Sequence, residues 1–337
     1  MKELVSLDDY CQLFSELKQI RMLRLLRKDT IHSKIKRRSG RKHLDEFVKK
    51  YWEGGYVYLE SGDYLYTPSI KEYVNSIRIT DPYVPEQIIS KFCKPGNVVM
   101  DIGANIGEWT LHMAKMVGET GRVFSIDPIP AMIQALKKTI AINNLSQVSI
   151  TECAISNKIS HTEFVIPFSK DNQAESGLSQ VVTDEEYCSP EELMAAKYFG
   201  SKEIKKIKTI KVPTVNLDNF ISEKCIKRLD FIKIDVERHE RLVLEGGQQA
   251  LKTLKPSLVL EVGGEKTKED REKIADLLST LNYKIIGIIL HGGIVEVTWS
   301  QYLEMKDPFK LPGASNVLFL PTFMKKSKEK EVSKVVS

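Results

Sequence analysis

Asp101-Ile102-Gly103-Ala104-Asn105-Ile106-Gly107 follows the apolar run Val98-Val99-Met100 and precedes a helical pattern that begins near Glu108. A buried strand, a glycine-bearing turn and a helix start are thereby laid out in order. Gly103 and Gly107 permit backbone angles and a close approach that a side chain would prevent. The new helix directs its free N–H groups towards whatever occupies the crevice at the strand's end. This unit predicts a ligand site on an open α/β sheet.

Outward from this unit, short apolar strands alternate with helical patterns from Asn97 onward, as expected of a parallel sheet covered by helices. Strands are predicted over 98–102, 122–126, 148–153, 231–236, 257–262, 283–289 and 316–320. The regular alternation breaks between 157 and 228, where 161–168 and 207–212 read as extra strands around a polar insert near 169–209. Upstream, Tyr10, Leu13, Phe14, Leu17, Ile20, Leu23 and Leu26 have helical spacing, which predicts an amphipathic helix over 10–28. Val57-Tyr58-Leu59-Glu60 and Tyr64-Leu65-Tyr66 flank Ser61-Gly62-Asp63 as a small hairpin, and a connecting helix follows. The predicted organisation is an N-terminal accessory region over 1–94, a catalytic domain over 95–323 and a solvated, flexible tail over 324–337.

The chain has 337 residues, 42% of them hydrophobic, enough to bury a substantial core and to exclude global disorder. Its formal net charge of +5 is too small for a nucleic-acid coat, but the basic residues cluster between Lys18 and Lys42. That segment suits an anionic membrane surface or another polyanion. The five cysteines are dispersed and odd in number, with no C-x-x-C pair, which disfavours a disulfide framework and a zinc site. With acids at the N-terminus and no long apolar run, the expected location is cytoplasmic, with peripheral membrane contact through the basic segment.

The second strand, Arg122-Val-Phe-Ser-Ile-Asp127-Pro128, ends in a carboxylate where a ribose diol reaches in a doubly wound sheet. Asp127 serves a nicotinamide dinucleotide as well as S-adenosylmethionine. The glycine fingerprint of a dinucleotide site is absent, because the run is Gly103-x-x-x-Gly107 with Asn105 between. Asp101 would also sit badly beside a pyrophosphate, whereas it suits a ligand bearing an ammonium and a sulfonium. A nicotinamide-dependent oxidoreductase is therefore the alternative enzyme, and a non-catalytic interaction protein on the same fold is the alternative of another class.

Taken together, Asp101-Ile-Gly-Ala-Asn-Ile-Gly107, Ile126-Asp127-Pro128, Ala154-Ile-Ser156, Phe231-Ile-Lys-Ile-Asp-Val-Glu237 and Leu244-Glu-Gly-Gly247 resemble the FkbM family of class I methyltransferases. The resemblance implies a Rossmann-like α/β fold with a seven-stranded sheet whose final hairpin is reversed. It also implies S-adenosylmethionine as cofactor and O-methylation of a sugar, glycan or other small molecule. By the same resemblance Asp101, Gly103, Ala104, Asn105 and Gly107 surround the methionine part of the cofactor. Asp127 with Pro128 meets the ribose, and Cys153 with Ala154 meets the adenine. One departure is Arg238, which stands where the family usually has glycine and bears on the acceptor.

Lys233, Asp235 and Glu237 alternate along the fourth strand, so all three share a face if the strand runs that far. Charges in a buried parallel strand are costly unless paired or beside a crevice, and the C-terminal strand end supplies one. Lys233, Asp235, Glu237 and His239 form the candidate catalytic set, with Asp235, Glu237 or His239 as base. Glu261, which ends the next strand, and His291, before two glycines, are candidate acceptor-binding residues. Asp235, Glu237 and His239 also offer metal-ligand chemistry, but the expected mechanism is metal-free.

Overall fold

The structure, a computed structural model, describes residues 54–59, 61–68, 86–169, 180–181, 204–237, 239–261, 268–290, 293–304 and 316–322. The predicted helix over 10–28, the basic segment, most of the polar insert, His291 and the tail lie outside these residues. The chain divides into two compact units, Met1–Thr80 and Asp81–Ser337.

In the first unit, β1 (Gly55–Tyr58) and β2 (Tyr64–Thr67) form the antiparallel hairpin that the alternating tyrosines predict. Val57 and Leu65 are buried register partners, while Tyr56 pairs with Tyr66 and Tyr58 with Tyr64 on the other face. The Leu59 N–H donates to Asp63 O at 2.8 Å and closes the turn.

The second unit opens with α1 (Glu86–Phe92), β3 (Val98–Ile102), α2 (Glu108–Val117), β4 (Arg122–Asp127), α3 (Pro130–Ile142) and β5 (Val148–Glu152). Three parallel strands and their crossovers are thus complete within the first third of the unit. Next come β6 (Ala154–Ser156), β7 (Ser160–Ser169), β8 (Gln180–Val181) and β9 (Ile204–Asn216), which build a separate four-stranded sheet in the order β6-β9-β7-β8. The extra strands expected around the polar insert form its long antiparallel pair, β7 with β9.

The chain then returns through α4 (Leu217–Glu223), β10 (Phe231–Ile234), α5 (Glu240–Glu245), α6 (Gln248–Leu254), β11 (Ser257–Glu261) and α7 (Lys268–Thr280). It ends with β12 (Tyr283–Leu290), β13 (Gly293–Glu296), α8 (Trp299–Glu304) and β14 (Asn316–Pro321). The main sheet runs β13-β12-β14-β11-β10-β3-β4-β5. β14 lies antiparallel between β11 and β12, which is the expected reversal.

Seven strands were expected in this sheet, and the described residues form eight. The additional strand is β13, whose Gly-Ile-Val-Glu run is too short for a period to be read and is held at the edge by antiparallel pairing with β12. A second correction concerns β10, expected over 231–236. It stops at Ile234: the Asp235 N–H makes a last bond to Ile102 O at 3.0 Å, and Glu237 then takes a left-handed φ of 51°.

The two faces of the sheet differ in a way that locates the site. Met100, Ile102, Phe124, Ile126, Ile232, Ile234, Leu258 and Leu260 point to the face packed by α4 to α8 and belong to the main apolar cluster. The opposite parity carries Val99, Val123 and Phe231 into a second apolar layer, then meets Ser125, Asp101 and Lys233, one residue on each of three adjacent strands. This polar row sits one residue short of the C-terminal ends of β3 and β10, directly beneath the loop. No helix among the described residues is long and apolar enough to cross a membrane.

Candidate active site

The loop 101–107 is bound to β4 before any ligand enters. The N–H groups of Gly103 and Ala104 donate to Ile126 O at 2.9 and 3.0 Å, and the Asn105 N–H donates to Asp127 Oδ2 at 2.9 Å. Gly103, Asn105 and Gly107 all have positive φ, of 80°, 48° and 98°. At Gly107 a β-carbon would stand 2.5 Å from Leu136 Cδ1, so the loop also packs closely on α3.

Asp101 is fully buried. Its Oδ2 accepts from Thr110 Oγ1 at 2.6 Å, and its Oδ1 lies 3.6 Å from Lys233 Nζ. Burial raises its pKa, and Lys233 and Thr110 oppose that rise. The carboxylate expected to face an ammonium group is therefore sealed under the loop, where it acts through charge and through the loop it holds. Asp127 is buried as well, its carboxylate capped by the N–H groups of Ile129 at 2.8 Å and Asn105. Burial pushes its pKa up to about 6 in spite of those two donors. A carboxylate has about four acceptor positions, so two remain for a diol.

Lys233, only 3% exposed, joins the loop to the acceptor end. Its Nζ donates to Gly103 O at 3.0 Å and lies 3.1 Å from Asp235 Oδ2. Burial alone would lower its pKa, but Asp235 and Asp101 outweigh that and raise it. Lys233 in turn overcomes the burial of Asp235 and holds that carboxyl below its ordinary value.

Carboxylate oxygens of Asp235, Glu237 and Glu261 lie within 4.8 Å of one another, at the joined ends of β10 and β11. Burial and the neighbouring Asp235 charge raise the Glu261 pKa well above the usual range. The sequence reading grouped Lys233, Asp235 and Glu237 by strand alternation. They converge by another route, since Glu237 arrives through a turn rather than a strand.

His239 does not join them. Its Nε2 lies 3.0 Å from Ser156 Oγ, and burial followed by the Arg241 charge lowers its pKa to about 4. Cys153 is a core residue whose thiol pKa is pushed up to about 11 by burial, and Ala154 starts β6 beside it. Pro128 is buried next to Asp127. The residues not anticipated from sequence are Thr110 and Ser125, hydroxyls in apolar runs that carry no motif of their own.

Residues 101–285 match the family described as Methyltransferase FkbM domain. The chain belongs to the FkbM methyltransferase family. A second description, Protein-L-isoaspartate(D-aspartate) O-methyltransferase (PCMT), matches residues 42–154. The chain is 28% identical over 171 residues to 31-O-demethyl-FK506 methyltransferase FkbM of Streptomyces tacrolimicus, covering 47% of this chain and 62% of that protein. It is 36% identical over 85 residues to ribosomal RNA large subunit methyltransferase E of Bdellovibrio bacteriovorus, covering 25% and 41%. The matches thus span less than two thirds of these relatives' lengths. Among solved structures, methyltransferase FkbM from Methylobacillus flagellatus KT aligns with a TM-score of 0.40 and 17% identity, over 67% of this chain and 43% of that one.

Membership of this methyltransferase family makes S-adenosylmethionine the cofactor. The donor set fits it. Asp101, Asp127, Asp235 and Glu237 bring carboxyl groups to one strand-end region whose Lys233 is already paired, so a sulfonium and an ammonium are favoured where a pyrophosphate would be repelled.

Proposed function

We propose that this FkbM-family chain methylates a hydroxyl of a neutral small molecule or glycan. The observation that carries the proposal is the convergence of Asp235, Glu237 and Glu261 beside the cofactor loop, with Lys233 shared between the two. S-adenosylmethionine, when bound, supplies an electrophilic methyl group on a sulfonium. The protein's own work is to hold the cofactor, align the acceptor and take its proton.

Asp127 accepts the ribose hydroxyls, the backbone of 103–107 receives the methionine part, and the chain at Cys153 and Ala154 borders the adenine. Glu237 is the base for the acceptor hydroxyl. Asp235 is engaged by Lys233, and Glu237 stands with Asp235 and Glu261 at the strand ends beside the loop, which supports Glu237 as the base. A positioned base contributes roughly 10²- to 10⁴-fold, and alignment adds to it. Lined by acids, the acceptor side repels phosphorylated acceptors, so neutral hydroxyl compounds are preferred over nucleotides and RNA.

The test is methyl transfer from labelled S-adenosylmethionine to a panel of neutral sugars and polyols, set against sugar phosphates and RNA, with and without a chelator. Labelling of neutral hydroxyl compounds that survives chelation supports the proposal. Labelling confined to RNA or sugar phosphates, or activity abolished by chelator and restored by a divalent ion, would reject it in this form.

A further inference from the structure

Thr110 lies in the first turn of α2, three residues past the 101–107 loop, and through it the helix grips the acid that opens that loop. Thr110, Asp101 and Ser125 are all fully buried. Thr110 Oγ1 donates to Asp101 Oδ2 at 2.6 Å and lies 2.8 Å from Ser125 Oγ. With the Thr110 hydrogen on Asp101, the only hydrogen left for the Thr110–Ser125 contact is that of Ser125, which then donates to Thr110. The chain of donors therefore has one direction, Ser125 to Thr110 to Asp101.

Its members come from three elements that meet at the loop. Asp101 on β3 has Ser125 of β4 as register partner on one side and Lys233 of β10 on the other. Lys233, Asp235 and Asp127 are the charged groups that face the Asp101 carboxylate. Lys233 stands at 3.6 Å from Oδ1, beyond a hydrogen bond, and spends its short contacts on Gly103 O and Asp235. Thr110 thus provides the one short hydrogen bond to this carboxylate among the described residues. Removing a donor from a buried charge is costly, because no water can replace it.

We propose that Thr110 is a positioning residue for cofactor binding: its hydroxyl fixes the Asp101 carboxylate, and with it the path of loop 101–107 into α2. The inference rests on the S-adenosylmethionine reading of the crevice. Thr110 touches Asp101 and not the acceptor carboxylates, which lie just beyond β10 and at the end of β11.

Thr110→Val keeps the branched shape and removes the donor, whereas Thr110→Ser keeps the donor. Calorimetry with S-adenosylmethionine and turnover at saturating cofactor are measured on full-length protein. Thr110→Val should weaken cofactor binding roughly tenfold or more with saturated kcat unchanged, and Thr110→Ser should retain wild-type affinity. Ser125→Ala, which leaves Thr110 without its own donor, should weaken binding to a lesser degree and serves if Thr110→Val does not fold. A folded Thr110→Val with wild-type affinity, a Thr110→Ser as damaged as Thr110→Val, or an unaffected Ser125→Ala would overturn the proposal. Absence of binding by the wild type would instead strike the cofactor reading on which it rests.

Discussion

A β-carbon on Gly103 would stand 1.8 Å from the carbonyl oxygen of Asp235, so the cofactor loop and the end of the acceptor strand are packed backbone against backbone. Gly103→Ala combines this clash with a φ of 80°. It should destabilise the protein by about 2 kcal/mol or more in urea unfolding and abolish cofactor binding in whatever remains folded.

Lys233→Met leaves Asp101 and Asp235 without their shared cation. Breaking a buried pair in this way costs about 3–5 kcal/mol. The pH window follows from the shifts. The depressed Asp235 pKa contributes stability above the unfolded value of about 3.9, lost as pH falls through the folded value, and the raised Lys233 pKa contributes stability below about 10.4, lost as pH rises. The stability gap between wild type and mutant should therefore be widest from about pH 4 to 10 and narrow on both sides, as read by denaturant unfolding across pH.

Asp127 has its pKa raised to about 6. Protonation removes an acceptor from the ribose site, so S-adenosylmethionine affinity should be flat above pH 6 and fall below it, by up to about tenfold per pH unit. For stability the sign is opposite, because a raised carboxyl favours the folded state at low pH and loses that contribution as pH rises towards 6. Asp127→Asn should bind weakly at every pH and show no inflection near 6.

Glu237 and His239 separate chemistry from packing. Glu237→Gln keeps shape while losing basicity and should lower turnover by roughly 10²-fold or more with cofactor affinity intact. His239→Gln should leave saturated turnover close to wild type and lower the Tm, since its ring is engaged with Ser156. Normal turnover in Glu237→Gln would point to an acceptor that needs no base, such as an amine.

The succession of strands along the chain and the turn after β3 were legible because each depends on local runs. Val98–Ile102 is apolar with an acid near its end, and Gly103 to Gly107 can only be a tight turn. What sequence did not disclose depends on pairing across long separations. β13 is a strand because β12 offers an edge, not because its four residues demand it. Strand alternation brought Lys233 beside Asp235 correctly, but Glu237 reaches the same cluster through a left-handed turn that no period encodes. His239 lies two residues from Glu237 yet turns to Ser156 on β6, and Thr110 looks like an ordinary helix residue until β3 places Asp101 beneath it.

The central claim, that the crevice between loop 101–107 and Asp127 holds S-adenosylmethionine, is tested most directly by calorimetry on the full-length protein and its Asp127→Ala variant. The account predicts that the wild type binds S-adenosylmethionine and S-adenosylhomocysteine but neither NAD nor NADP, and that Asp127→Ala loses most of that affinity. Equal binding by wild type and variant would remove Asp127 from the site, and tight NADP binding by the wild type would contradict the account.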